Sequence, residues 1–128
     1  MAYHIETARS MAKGALFVGW GALIPGREDA ARKVLAESVE YLQRLQWEGA
    51  IDSFEAVALE PHGGELAGFV LVRGDRQAIA QLRVTDEFTR IVVRIQLVHT
   101  HVGVVGAYAD AEMQSLFEVW DEQEAELV

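Results

Sequence analysis

The chain has 128 residues, 51% of them hydrophobic, with two prolines and no low-complexity tract, which suits one domain burying roughly two thirds of its unfolded surface. Its formal charge of -9 repels phosphate backbones and anionic lipid heads, and the eleven Lys and Arg are scattered with no run longer than Arg32-Lys33, so neither nucleic acid nor a membrane is an expected partner. The absence of cysteine excludes disulfides, thiolate catalysis and thiolate-bound metal, and a cytoplasmic location is the expectation.

In chain order, residues 1–13 read as a flexible N-terminal arm, because Arg9, Ser10 and Lys13 interrupt any apolar pattern, and residues 14–128 read as a single domain. Residues 15–24, ALFVGWGALI, are almost continuously apolar, as a central strand covered on both faces would be. The run is too short to cross a bilayer. After a turn at Pro25-Gly26, residues 29–47 place Ala31, Val34, Leu35, Ser38, Leu42 and Leu45 at helical spacing, and Gly49 supplies the stop.

Two strand-like runs, 53–59 and 66–73, flank Glu60-Pro61-His62-Gly63-Gly64-Glu65 and predict a β-hairpin. In its second strand Leu66, Gly68, Val70 and Val72 make one apolar face, whereas Glu65, Ala67, Phe69, Leu71 and Arg73 make a mixed one. Asp75 is placed to cap a short helix carrying Ile79 and Leu82, and Thr85 to cap a further turn or two, with a break near Val84. Residues 91–105 are expected to form a long fourth strand, with Ile91, Val93, Ile95 and Leu97 on one side and Arg94, Gln96, Val98 and Thr100 on the other. Asp110 then caps a C-terminal helix whose Met113, Leu116, Phe117, Trp120 and Leu127 form an apolar stripe opposite acidic residues.

This order, βαββαβ plus a C-terminal helix, predicts an α+β, ferredoxin-like fold: a four-stranded antiparallel sheet with two helices on one face. The other face is left open, and several hundred Å² of mixed apolar surface calls for a partner or ligand. The chain resembles the dimeric α+β barrel superfamily over most of residues 15–109. The resemblance is carried by the first strand running into Ile24-Pro25-Gly26-Arg27-Glu28, by the Gly68-Phe69 strand ending in Arg73-Gly74-Asp75, and by Thr85-Asp86-Glu87-Phe88. It implies a homodimer paired through the open sheet faces, in a superfamily that spans monooxygenases, haem-degrading enzymes, peroxidases, isomerases, stress-response barrels and small bacterial proteins of unknown function. Its known catalytic sets are not visible here: strand one has no Asn, residues 76–90 contain no His, and the glycine–aspartate motif of the dye-decolorising peroxidases and the His-Asp pair of the YCII-like members have no match.

The candidate site residues follow from the expected open face. Phe69, Arg73, Arg94 and Gln96, with Trp20, would line a cavity between paired sheets, where Arg73 and Arg94 could hold a carboxylate or a developing oxyanion. The plainer alternative is an arginine paired with Glu55 at the dimer interface. His99 and His101, at i and i+2 on the expected strand, would share a face but lack a third ligand, so metal binding through them is the weakest reading, and His62, Glu60 and His4 are not placed to complete a site. The Glu60-Pro61-His62-Gly63-Gly64-Glu65 turn gathers carboxylates and a histidine mainly for backbone reasons. No nucleotide or nucleophile motif is present and no cofactor is implied. The functional expectation is a small homodimer that binds, or transforms, a small apolar or carboxylate-bearing molecule; the alternative is a non-enzymatic assembly module.

Overall fold

The computed structural model of the chain describes residues 12–128. Within them the order is β1 (Lys13–Trp20), α1 (Glu28–Trp47), β2 (Ser53–Ala58), β3 (Gly68–Asp75), α2 (Arg76–Arg83), α3 (Asp86–Val98), β4 (Gly103–Ala107) and α4 (Ala111–Leu127). The expected arm over residues 1–13 lies outside the described residues, apart from its last two, of which Lys13 opens β1.

The strands form one antiparallel sheet in the order β2-β3-β1-β4, which is the ferredoxin-like arrangement. The apolar run of β1 makes it the inner strand, paired with β3 from Lys13↔Asp75 to Trp20↔Gly68 and with β4 from Ala15↔Ala107 to Gly19↔Gly103. Alternation then divides the sheet. Leu16, Val18, Val70 and Val72 point to the helical side and are buried, with Leu16 and Val72 fully so. Gly68 is required there: a Cβ would lie 2.7 Å from the Trp20 ring and 2.8 Å from the Val57 carbonyl.

The helix α1 buries Val34, Ser38, Tyr41, Leu42 and Leu45, four of the expected stripe plus Tyr41, against that face. It ends where expected, with Gly49 at φ +81 and Ala50 N donating to Leu45 O at 2.9 Å. The break near Val84 is also present. Asp75 accepts from Ala78 N at 3.0 Å to start α2, and Thr85 Oγ1 accepts from Phe88 N at 3.3 Å to start α3.

The expected long fourth strand over residues 91–105 is corrected. Residues up to Val98 belong to α3, and the strand is only Gly103–Ala107. The β-branched Ile91, Val92, Val93 and Ile95 imitate strand composition, but Phe88, Ile91, Val92, Ile95 and Val98 recur at threes and fours, and these are the residues that reach the core. The strand alternation fails at Val93 and Leu97, which are 45% and 57% exposed. Only the last three residues of the expected strand, Gly103, Val104 and Val105, are in the observed edge strand, which continues to Ala107.

Candidate functional site

The two faces of the sheet differ in what covers them. On the face away from α1 and α3 the register aligns Ala15, Phe17 and Gly19 with Phe69, Leu71 and Arg73, with Glu55 and Val57 of β2, and with Val105 of β4. Phe17 and Phe69 stack with centroids 5.3 Å apart and planes at 27°. At the edge of this patch Arg73 donates to Glu55 at 2.9 Å and to Asp110 at 2.8 Å. Those two hydrogen bonds, Glu55 first, raise the arginine's affinity for its proton further.

Asp110 therefore does not cap α4 with its side chain, as expected from sequence; its carboxylate is spent on Arg73, and its backbone sits at φ 56, a region a non-glycine residue seldom occupies. The helix it starts buries no residue. Met113, Phe117, Trp120 and Leu127 are all exposed, Trp120 at 65%.

The helical side holds a cavity of about 390 Å³. Its floor is Val18, Trp20, Val70 and Val72 of the sheet, and its walls are Ala31, Val34, Ser38, Tyr41 and Leu42 of α1 facing Phe88, Ile91, Val92 and Ile95 of α3. The exposed Leu23, Glu28, Arg32 and Leu35 form the rim, and His99 lies beside Trp20, with ring centroids 6.0 Å apart. The volume suits a small organic molecule, and the lining is overwhelmingly aliphatic and aromatic.

Polar groups in this lining are few. The Ser38 hydroxyl donates to Val34 O at 2.7 Å within its own helix. Glu28 accepts from Gly26 N at 3.2 Å, and Arg32 lies 3.4 Å from Asp29. The Tyr41 hydroxyl is buried without a hydrogen-bond partner. Burial pushes its pKa above the usual tyrosine value; the Thr85 hydroxyl beside it acts in the opposite direction, yet that hydroxyl already donates to Leu82 O at 2.7 Å and accepts from Phe88 N. At the other end, one ring nitrogen of His99, Nδ1, meets Gly21 O at 3.1 Å.

The five residues expected to line one cavity do not converge. Trp20 lines the cavity on the helical side, whereas Phe69 and Arg73 lie on the opposite face of the sheet. Arg94 and Gln96 are corrected outright, because they sit on α3 rather than on a strand: Gln96 is exposed, and Arg94 pairs with Glu37 of α1. Of the plainer alternative, an arginine paired with Glu55 at a dimer interface, the pairing itself is present at Arg73. His99 and His101 are not strand neighbours either, since His99 closes α3 and His101, at φ 50, occupies the bend before β4. Among the described residues no three His, Cys, Asp or Glu are grouped as a metal site requires. His62 is absorbed by its own turn, its Nε2 2.8 Å from Leu66 O and its Nδ1 accepting from Gly64 N at 3.2 Å.

Sequence reasoning missed the contributions of Tyr41, Val92 and His99 to the cavity. The available signal was the helical phase of residues 88, 91, 92, 95 and 99, which puts His99 at the end of the α3 stripe.

No protein-family profile matches the chain, and no curated protein matches it. Solved structures do. A dimeric protein of unknown function with a ferredoxin-like fold from Bacteroides fragilis aligns over 74% of this chain and 94% of its own, with a TM-score of 0.56 at 11% identity. A protein assigned as an antibiotic biosynthesis monooxygenase from Bacteroides thetaiotaomicron aligns over 77% and 90%, with a TM-score of 0.55 at 16% identity. SnoaB, a cofactor-independent oxygenase from Streptomyces nogalater, aligns over 77% and 94%, with a TM-score of 0.52 at 11% identity. At these identities the likeness establishes a ferredoxin-like fold and nothing beyond it, and function has to be argued from the site.

Proposed function

We propose, from that fold, that the protein binds a small apolar molecule in the cavity between α1, α3 and the sheet, and that it works as a homodimer paired through the open sheet face. The observation carrying the ligand reading is the cavity of about 390 Å³ with a nearly continuous apolar lining. A carboxylate on the ligand would meet Arg32 at the rim, since Arg73 and Arg94 are engaged by Glu55, Asp110 and Glu37. The pairing reading is supported by the stacked Phe17 and Phe69 on the uncovered face and by the dimeric neighbour of the same fold. No described helix is long and apolar enough to cross a membrane.

Thermal-shift measurements with a library of small aromatic and aliphatic compounds test the ligand reading, because a ligand that binds only the folded chain raises Tm by mass action. Ala31→Phe, which fills the cavity from α1, should abolish those shifts while the variant stays folded. Equal shifts in both proteins would place binding elsewhere.

The second reading is an assembly module without a ligand. It is favoured by α4, which buries no residue and leaves Met113, Phe117 and Trp120 exposed. A library that leaves Tm unchanged, with self-association retained, would select it.

A further inference from the structure

We infer that the protein carries a second binding site, a hollow between α2 and the paired strands β1 and β4 that takes a small organic oxyanion, a carboxylate or phosphate monoester on a short apolar body. The hollow measures about 260 Å³ and shares no lining residue with the cavity between α1 and α3. Its floor comes from the strands. Leu16 and Val18 turn to the helical side, so Gly14, two residues earlier, and Gly106, the β4 partner of Leu16, turn there as well. At Gly106 the space of a side chain is left open, since a Cβ there would meet nothing within 4 Å. The roof is α2, with the buried Ile79 and the small Ala80.

Two arginines supply the charge. Arg76 and Arg83 both line the hollow, seven residues apart on one face of α2 and so about 10 Å apart along its axis. Gly14 lets Arg76 lie close over β1: a Cβ there would sit 3.3 Å from Arg76 Cα and 3.4 Å from its Cγ. The guanidinium rests over the ring of Tyr108, another lining residue, 5.4 Å from its centroid. The first backbone donor of α2, Arg76 N, is given to Ala12 O at 3.3 Å, so the positive charge of the hollow comes from side chains.

In a chain of net charge -9, Arg32, Arg44, Arg73 and Arg94 are each paired with an acid. Among the described residues no carboxylate forms an ion pair with Arg76 or Arg83. Asp75, beside Arg76 in the chain, is committed to Ala78 N at 3.0 Å as the cap of α2. Arg27 and Arg90 also lack an ion pair there, but neither lines a cavity. Only at α2, therefore, do two uncompensated guanidiniums meet a concave surface. Their planar forks match the paired oxygens of a carboxylate or phosphate, and Leu16, Ile79 and Ala80 offer apolar contact to the rest of the ligand.

The test titrates the full chain with benzoate, phenyl phosphate and the neutral benzyl alcohol, following the arginine Nε–H signals by NMR. Those of Arg76 and Arg83 are assigned by their absence from Arg76→Gln and Arg83→Gln. At least one of the two oxyanions should shift both signals saturably, the tighter one naming the preferred head group, and benzyl alcohol should shift neither. Each of these variants, read on the arginine that remains, should bind about ten- to a hundredfold more weakly, as loss of a charge-assisted contact implies. Arg90→Gln, on a surface outside the hollow, should bind as the wild type does. Gly106→Leu, which fills the hollow from a position with room for a side chain, should abolish binding with both arginines in place and the near-ultraviolet circular dichroism unchanged. Ala31→Phe, in the other cavity, should leave binding intact. No saturable shift of both signals with either oxyanion, equal weakening in Arg90→Gln, or full binding by Gly106→Leu would overturn the site. Loss of binding in Ala31→Phe would move the oxyanion to the cavity between α1 and α3 and overturn it too.

Discussion

The two faces of the sheet are built from neighbouring residues of the same strands and have opposite fates. On β3, Val70 and Val72 are buried beneath the helices at 7% and 1% exposure, while Leu71 between them shares the uncovered face with Phe17 and Phe69. One face is closed within the chain yet leaves room for a guest, because α1 and α3 stand apart over Val18, Trp20 and Val70. The other presents the stacked Phe17 and Phe69, with Arg73 at its edge tied to Glu55 and to Asp110, the residue that starts α4. An apolar face is therefore no guide to a ligand site by itself: a cavity needs walls from a second layer, which α1 and α3 supply on one face of the sheet.

Substitutions that separate the faces give the largest expected effect first. Val72→Asp places an unpaired carboxylate in the sealed layer and should cost more than about 4 kcal/mol, leaving the chain unfolded or molten by near-ultraviolet circular dichroism. One residue away, Leu71→Asp should leave the subunit folded but weaken self-association by at least about 2 kcal/mol, roughly 30-fold, in sedimentation equilibrium. If the two variants behaved alike, the division of the sheet into a core face and a pairing face would be wrong.

Within the helical layer the effects become smaller. Thr85→Ala removes the N-cap of α3, which forms one wall of the cavity, and should cost about 1 kcal/mol in urea denaturation. Tyr41→Phe removes a buried hydroxyl that has no partner, so it should be neutral or stabilising by up to about 1 kcal/mol. The same variant tests the pH dependence. Because burial raises the folded-state pKa of Tyr41 above the usual 10.0, its contribution is fully present below pH 10.0 and is lost as the pH rises through the folded value. Denaturation midpoints followed upward from that pH should fall less steeply in Tyr41→Phe than in the wild type. Smallest of all, breaking the Arg94 and Glu37 pair between α3 and α1 should change stability by no more than about 1 kcal/mol, since Arg94 is half exposed.

Much of the fold was legible because local chemistry and tertiary demand agree over most of the chain. The Pro25-Gly26 turn, the helical stripe of α1, Gly49 at its end, the hairpin with its Pro/Gly turn, and the caps Asp75 and Thr85 each have a local cause that the structure retains. The failure at α3 has a cause as well. Ile91, Val92, Val93 and Ile95 favour a strand by composition, and the choice was settled by the Thr85 cap together with Phe88, Ile95 and Val98, which find a partner surface only as a helix on the sheet. That single change moved Arg94 and Gln96 off the sheet and brought His99 to the end of a helix beside Trp20.

By itself, then, the sequence determined the order of most elements, the antiparallel ferredoxin-like plan and the sides to which β3 turns its residues, since those depend on periodicity and on turn and cap chemistry within a few residues. Only the tertiary structure decided where the cavity lies and which residues meet in it. The gap between α1 and α3, the carbonyl of Gly21 beside His99 and the Arg73–Asp110 contact each join segments far apart in the chain, and such distances depend on how layers pack, which no local pattern encodes.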